Sequence, residues 1–373
     1  MSCLHRTFRR TLTRALVAAA TISMVLLAGE VLARWLVWQD PADMFTADPV
    51  LGFRLRPNYH GAYGAGPTAI PVTTNSWGLR DHEYGPRSSD GLRIYVAGDS
   101  LVFGYRVPLE ESFTKILERA LQRQLEGRRV EVVNGGVPRY GTVQEIDLFE
   151  RIVDLVEPNL VLLELSGPND VVDNIDFARY PSPGRFGAWW MPSVGNWIRV
   201  RSQLYAWVRH RRSLSSARRE DRLSVALGTH AVTPAAHVEK GLVLTENAIA
   251  QFVSAVHRRR IPCAIFVAPD REQVDARLWD AMLARHGLAA TAYDRRQPSE
   301  RLVQFARRAG IPALDLLPAF QAQQAPLYGG VHWTPRGHAV AAEAMVAFLR
   351  ESGLLEAATG TSPERADSSG TVH

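Results

Sequence analysis

Five short apolar runs, separated by stretches of helical period, constrain this chain more than any other feature. "RIYVA" (93–97), "VEVVN" (130–134), "LVLLEL" (160–165), "IPCAIFVA" (261–268) and "IPALDL" (311–316) read as strands buried on both faces. Helical stretches lie between them. In "SFTKILERALQRQL", Phe113, Ile116, Leu117, Ala120 and Leu121 share one helical face. "VQEIDLFERIVDLV" is a second helix, stopped by Pro158, and "GLVLTENAIAQFVSAVHRRR" is a third. Residues 299–309 and 335–350 complete the series. Strands alternating with helices predict an α/β fold, a parallel sheet covered on both faces. With 46% apolar residues over 373 positions, the chain has enough apolar surface for such a core.

The N-terminus is a targeting element. Arg6, Arg9, Arg10 and Arg14 precede "ALVAAATISMVLLAG", fifteen residues without a charge, and "EVLARWLVW" continues apolar but for Glu30 and Arg34. Those two are spaced to pair on one helix face. Residues 15–38 together are long enough to span a membrane. Arginines before the span predict that residues 1–14 stay in the cytoplasm and the rest lies outside it. Trp35 and Trp38 would then sit at the outer interface. "VLA" at 31–33 offers the alternative of a cleaved signal peptide.

The net charge of +5 is modest, and its arginines cluster near the span and at 199–222. That distribution fits a membrane side better than a nucleic-acid footprint, and no nucleic-acid-binding signature appears. Cys3 and Cys263 suggest neither a disulfide nor a metal site, and no apolar stretch precedes Cys3 as a lipoprotein signal requires. Residues 39–90 form a lead-in of short strands and turns. Residues 175–238 interrupt the strand–helix rhythm with Trp189, Trp190, Trp197 and Trp207 and eight arginines from Arg199 to Arg222. That insertion either lies on an anionic membrane surface or packs its tryptophans inward with arginine in solvent. The polar tail, 356–373, is expected to be disordered.

In an open parallel sheet, ligands bind at the carboxyl ends of the strands. After the first strand comes "AGDSLVFG". Ser100 there can expose a hydroxyl and a backbone N–H, or merely cap a helical turn. After the second comes "NGGVPRYGT", where Gly136 can bring an N–H close to a ligand or simply turn the chain. After the third comes "SGPNDV", with an amide donor in Asn169 and with Asp170 suited to orient the loop. Near the end, "GGVHWTPRGH" puts His332 just ahead of a helix capped by Thr334 and opened by Pro335, with His338 inside that helix in a structural role.

Four such blocks in this order resemble the SGNH hydrolase superfamily, the GDSL esterases, over residues 91–355. "GDS" (98–100), Gly136, "GPND" (167–170) and His332 carry the resemblance, and "DPVLGFRLRPN" with "NSWGLRD" resembles the segment that precedes this domain in membrane-anchored bacterial members. Those members are often associated with polysaccharide or cell-envelope functions, which implies a single-pass protein of a bacterial inner membrane with its catalytic domain in the periplasm. The resemblance implies a three-layer α/β/α sandwich with a parallel, flavodoxin-like sheet behind a transmembrane helix. It implies Ser100 as nucleophile and His332 as general base. The N–H groups of Ser100 and Gly136 and the Asn169 amide would form an oxyanion hole, with Asp99 and Asp170 in support. The reaction would be acyl-ester hydrolysis through an acyl-enzyme, on glycan or lipid esters, with no metal or organic cofactor. The residues name no protein partner.

The family's usual acid, three or two residues before the histidine, is replaced by Gly329 and Gly330. A backbone carbonyl near Gly329 could orient the imidazole, Asp315 could reach in from the neighbouring strand, or catalysis could be lost. Removing the acid from a triad costs about 10⁴ in kcat, yet the oxyanion hole and binding retain roughly 10³–10⁴ over water. Retained catalysis is the expected outcome. O-acyl transfer to a sugar hydroxyl and a non-catalytic envelope role are the alternatives.

Overall fold

The computed structural model describes residues 2–36, 43–63, 69–179, 202, 204–205, 208 and 216–360. Trp189, Trp190, Trp197 and Trp207, Trp38 and the tail beyond 360 lie outside the described residues, as do the side chains of Arg34 and Trp35.

In chain order the helices are α1 (Ser2–Leu36), α2 (Ser100–Phe103), α3 (Phe113–Gln124), α4 (Thr142–Val156), α5 (Gly167–Arg179), α6 (Ser216–Gly228) and α7 (Ala236–Arg258). Then come α8 (Arg271–Val274), α9 (Ala276–His286), α10 (Gln297–Arg308), α11 (Leu317–Gln321), α12 (Pro335–Glu351) and α13 (Leu354–Thr359). Strands β1 (Phe45–Asp48) to β4 (Ile70–Thr73) form two hairpins in the lead-in, with β2 at Gly52–Leu55 and β3 at His60–Tyr63. The central sheet holds β5 (Leu92–Gly98), β6 (Val130–Gly136), β7 (Leu160–Leu165), β8 (Cys263–Val267) and β9 (Ala313–Asp315). A short ladder of β10 (Tyr328–Gly329) and β11 (His332–Trp333) precedes α12.

The sheet is parallel throughout, in the order β6-β5-β7-β8-β9. Alternation along each strand divides the core in two. Tyr95, Val133, Val161 and Leu163 face Phe149 of α4 and Phe252 of α7. Ile94, Val132, Leu160 and Leu162 face Leu117 of α3 and Met345 of α12. Helices therefore cover both faces, giving the expected α/β/α arrangement.

The lead-in does not stand apart from this core. Phe53, Tyr63 and Val72 belong to the same buried cluster as Tyr95 and Phe149. The Tyr140 hydroxyl donates to the Phe53 carbonyl at 2.5 Å, and the Gln144 amide donates to Leu51 O at 2.8 Å. The expected disordered tail also needs correction at its start. Residues 356–359 complete α13, because Leu354 and Leu355 are buried in the α12 layer and anchor that last helix.

Within α1, the 25-residue span Arg9–Ala33 contains an apolar window with a mean hydropathy of 2.1. At 1.5 Å per residue that length exceeds the ~30 Å hydrocarbon core of a bilayer. The helix is long and apolar enough to cross a membrane, a property a signal sequence shares. Glu30 accepts hydrogen bonds from Ser202 Oγ (2.7 Å) and Leu204 N (3.1 Å).

Candidate active site

β5 delivers Ser100. The strand ends at Gly98, and Asp99 caps α2 by accepting the Leu101 N–H at 2.7 Å. A Cβ on Gly98 would come within 2.3 Å of Val102 Cγ2 and 2.9 Å of Glu164 Cβ, so glycine is what lets α2 fold back onto the sheet. Ser100 is the first residue of α2. Its N–H has no carbonyl to bond within its own helix.

β11 delivers His332, whose Nε2 lies 3.0 Å from Ser100 Oγ. The two glycines before it build the hairpin that sets this distance. Gly329 pairs with His332 across the ladder, and Gly330 sits at φ +75° in the two-residue loop between them. Glycine first in such a loop is the II′ pattern that suits strand twist. Thr334 then caps α12, accepting from Gly337 N, with Pro335 at its first position, as the sequence suggests.

The Tyr105 ring stacks on the His332 imidazole, with centroids 4.3 Å apart and planes at 28°. The loop carrying Tyr105 is tied to the lead-in by Arg80, which donates to the carbonyls of Phe103 (2.8 Å), Gly104 (2.5 Å) and Val107 (2.7 Å). Burial of the Arg80 guanidinium lowers its pKa to about 10.

β7 delivers Asn169. "GPND" is the first turn of α5 rather than an isolated turn. Asn169 Nδ2 donates to Asp99 Oδ2 at 2.7 Å. Asp170 accepts the Ser166 N–H at 2.7 Å and so fixes the strand-to-helix junction, as expected of a loop-orienting acid. His338 is buried and accepts the Phe113 N–H through Nδ1 at 3.2 Å, a structural role.

Two expectations are corrected. The Gly136 N–H donates to Asn134 Oδ1 at 3.0 Å, and Gly136 is not on the wall of the cavity that holds Ser100. Its small size serves contact instead, since a Cβ there would meet Phe103 N at 2.2 Å. Asp315 does not join His332 either. It ends β9, which β7 and β8 separate from β5, and it accepts the Leu317 N–H at 2.9 Å. Arg296, Glu300 and Arg307 are its charged neighbours.

Ser100, Asn169 and His332 share a cavity of about 660 Å³ over the carboxyl ends of β5, β7 and β8. Beneath it lies a group of buried carboxyls. Asp99 is pushed up to about 6 by burial, against the pull of hydrogen bonds from Leu101, Asn169 and Glu164. Burial, then the negative charge of Asp99, holds Glu164 and Asp170 well above the ordinary range. Glu145 is raised likewise, by burial and then by Asp170. Among the described residues no cluster of three or more His, Cys, Asp or Glu is arranged to hold a metal ion.

Sequence reasoning missed Tyr105, Asp270 and His230. Asp270 follows β8 in "VAPD" and lines the cavity, so the strand-end rule applied to "IPCAIFVA" would have found it. Burial and the charges of Glu272 and Asp99 push it up to about 7. His230 also lines the cavity, packs edge-on against Trp279 at 5.1 Å, and is lowered to about 4 by burial. Nothing in the local sequence marks it.

An arylesterase of Vibrio mimicus is 37% identical over 78 residues, which are 21% of this chain and 38% of that protein. The match thus spans well under half of the curated relative. A lipolytic protein of the G-D-S-L family from Desulfitobacterium hafniense aligns over 69% of this chain and all of its own, at 14% identity and a TM-score of 0.40. A catalytic mutant of an acetylxylan esterase from Geobacillus stearothermophilus aligns over 72% of this chain and 96% of its own, at 16% identity and a TM-score of 0.41. Scores at that level say nothing of substrate. Residues 96–340 match the GDSL-like lipase/acylhydrolase family, and the chain belongs to that family.

Proposed function

We propose that the protein is a serine esterase that hydrolyses acyl esters of glycans or lipids through an acyl-enzyme. The observation that carries this reading is the 3.0 Å contact between Ser100 Oγ and His332 Nε2 at the wall of the cavity. Ser100 Oγ attacks the ester carbonyl carbon and its proton passes to His332 Nε2. The oxyanion is met by the Ser100 N–H and the Asn169 amide, one hydrogen of which Asp99 fixes. The bond to the alcohol breaks as His332 protonates the departing oxygen. Water then attacks the acyl-enzyme, gives a proton to His332, and the acid leaves as Ser100 recovers its proton. Tyr105 stacking helps hold the imidazole plane.

The same reading holds α1 as an uncleaved anchor in a bacterial inner membrane, with the catalytic residues in the periplasm. Support comes from Arg9, Arg10 and Arg14 ahead of an apolar helix whose Leu16, Met24 and Leu27 are exposed.

The test is hydrolysis of p-nitrophenyl acetate and butyrate by the full chain in lipid nanodiscs, beside Ser100→Ala and His332→Ala. Both substitutions should lower kcat/KM by about 10³-fold or more. Turnover by the variants equal to wild type would overturn the reading.

A further inference from the structure

The cavity has a second half that the chemistry above does not use. Its walls are helices α6 and α9. Leu223, Ala226 and Leu227 of α6 recur at helical spacing and line it, and so do Leu278, Ala281 and Met282 of α9. Each helix already has another apolar face in the core. Val225 packs with Val171, Val238 and Leu242, while Trp279 and Leu283 are buried on α9. A helix that satisfies only the core needs one apolar stripe. These two carry a second stripe, turned toward the cavity. Among the described residues Leu223 is 42% exposed and Leu278 is 37% exposed.

Resting on the esterase reading, we propose that this cleft binds the acyl chain of the substrate, and that the preferred substrates are esters of medium or long alkyl chains rather than acetates. Three observations choose this occupant. First, the cleft is continuous with Ser100 and Asn169, within one cavity of about 660 Å³. That is roughly four times the engineered apolar cavity of ~150 Å³ that admits benzene, and far more than an acetyl group fills. Second, α6 packs on α5, which carries Asn169, and α9 follows β8, so the cleft lies beyond Asn169 from Ser100. The alcohol oxygen must lie within reach of His332, which protonates it, and the carbonyl oxygen faces Asn169, so the acyl chain is the part of the ester left to occupy the rest of the cavity. Third, these six side chains form an apolar strip without a hydrogen-bonding group, while Arg222, Arg271, Glu272, Arg285 and His286 line other parts of the same cavity. A sugar lying on that strip would lose hydration at its hydroxyls without replacement from it, whereas an alkyl chain loses nothing.

Each methylene moved from water into such a cleft strengthens binding about fourfold. In nanodiscs, kcat/KM should therefore rise at least tenfold from the p-nitrophenyl butyrate to the octanoate ester. Ala226→Trp and Ala281→Trp fill the cleft and should cut the octanoate-to-acetate ratio at least tenfold. Binding is tested apart from turnover with Ser100→Ala and 11-(dansylamino)undecanoic acid, with empty nanodiscs subtracted. The probe should bind, decanoate should displace it, butyrate should not, and either tryptophan should weaken it at least tenfold. Efficient acetate hydrolysis with a flat chain-length series, unchanged by either tryptophan, overturns the cleft assignment and leaves the esterase standing. Probe binding that both tryptophans weaken, with no ester turned over, overturns the esterase and leaves the cleft as an alkyl-chain site. No probe binding to Ser100→Ala overturns the cleft whatever the turnover.

Discussion

Asp81 and Asp99 are each 2% exposed, and the fold neutralises them in opposite ways. Asp81, in the lead-in, is ringed by donors. Lys115 Nζ lies 2.9 Å away, and the Tyr84 hydroxyl (2.7 Å), the Asn134 N–H (2.9 Å) and the His82 N–H (2.9 Å) complete the set. Asp99, under Ser100, takes hydrogen bonds from Leu101 and Asn169 but faces other carboxyls, with Glu164 Oε2 3.3 Å from its own N–H. A cation balances the first acid. Protons balance the second group, because burial without a cation raises its pKa values. The first arrangement staples the lead-in to β6 and α3. The second ties the loop of the nucleophile to a group that can gain and lose protons.

Removing the cation should produce the largest effect. Lys115→Met leaves Asp81 buried and charged, and the expected loss is about 3–5 kcal/mol in urea unfolding. Asp81→Asn added to Lys115→Met should recover most of it, since the uncompensated charge is then gone. A loss below about 1 kcal/mol from Lys115→Met alone would mean that Asp81 is not neutralised by that pair.

The next effect is the pH dependence of the wild type. The native state holds protons on Glu145, Glu164 and Asp170 well above the ordinary range, and on Asp270 up to about 7, that the unfolded chain has released. Stability therefore falls as pH rises through that interval. His230 and His338, lowered to about 4 and about 3 by burial, act in the opposite sense, but only below about 6.5, where the unfolded histidines take up protons. Between pH 6.5 and 8 the carboxyls alone remain. Stability should drop there by about 1.4 kcal/mol per pH unit for each proton held, or ~2 kcal/mol for one. A urea midpoint that is flat or rising over that window would break the contrast with Asp81.

Much of this was legible in the sequence, and the parts that were not share a cause. Buried parallel strands are nearly continuous apolar runs, so β5 to β8 could be read directly, and the strand-end rule then located Ser100 and Asn169. The Gly330 hairpin that brings His332 to 3.0 Å from Ser100 was visible only as an absent acid, because φ +75° is a tertiary requirement that looks like a loss of function on paper. Gly136 shows the converse: a glycine at a strand end reads as a backbone donor, whereas its small size is what admits Phe103. Arg80 stood in the quoted "NSWGLRD", yet its reach to the loop of Tyr105 spans more than twenty positions, and no local pattern encodes that. Asp315 failed because strand order, which sets it at the far edge of the sheet, is not written in any one strand.

The smallest expected effect sharpens the comparison most. Glu145 is 1% exposed, and neither of its carboxyl oxygens has a hydrogen-bond partner among the described residues. Asp81 loses stability when its partner is removed, whereas Glu145 has none to lose. Glu145→Gln keeps the shape and removes the ionisation. At pH 5, where the native carboxyl is protonated, variant and wild type should unfold within about 0.5 kcal/mol of each other. At pH 8 the glutamine should be the more stable by about 1–2 kcal/mol, the size of the penalty for a buried group left unsatisfied. The drop in stability between pH 5 and 8 should shrink by the same amount. A variant less stable than wild type at both pH values would mean that Glu145 is paired in its charged form, and that the carboxyls beneath Ser100 are compensated as fully as Asp81.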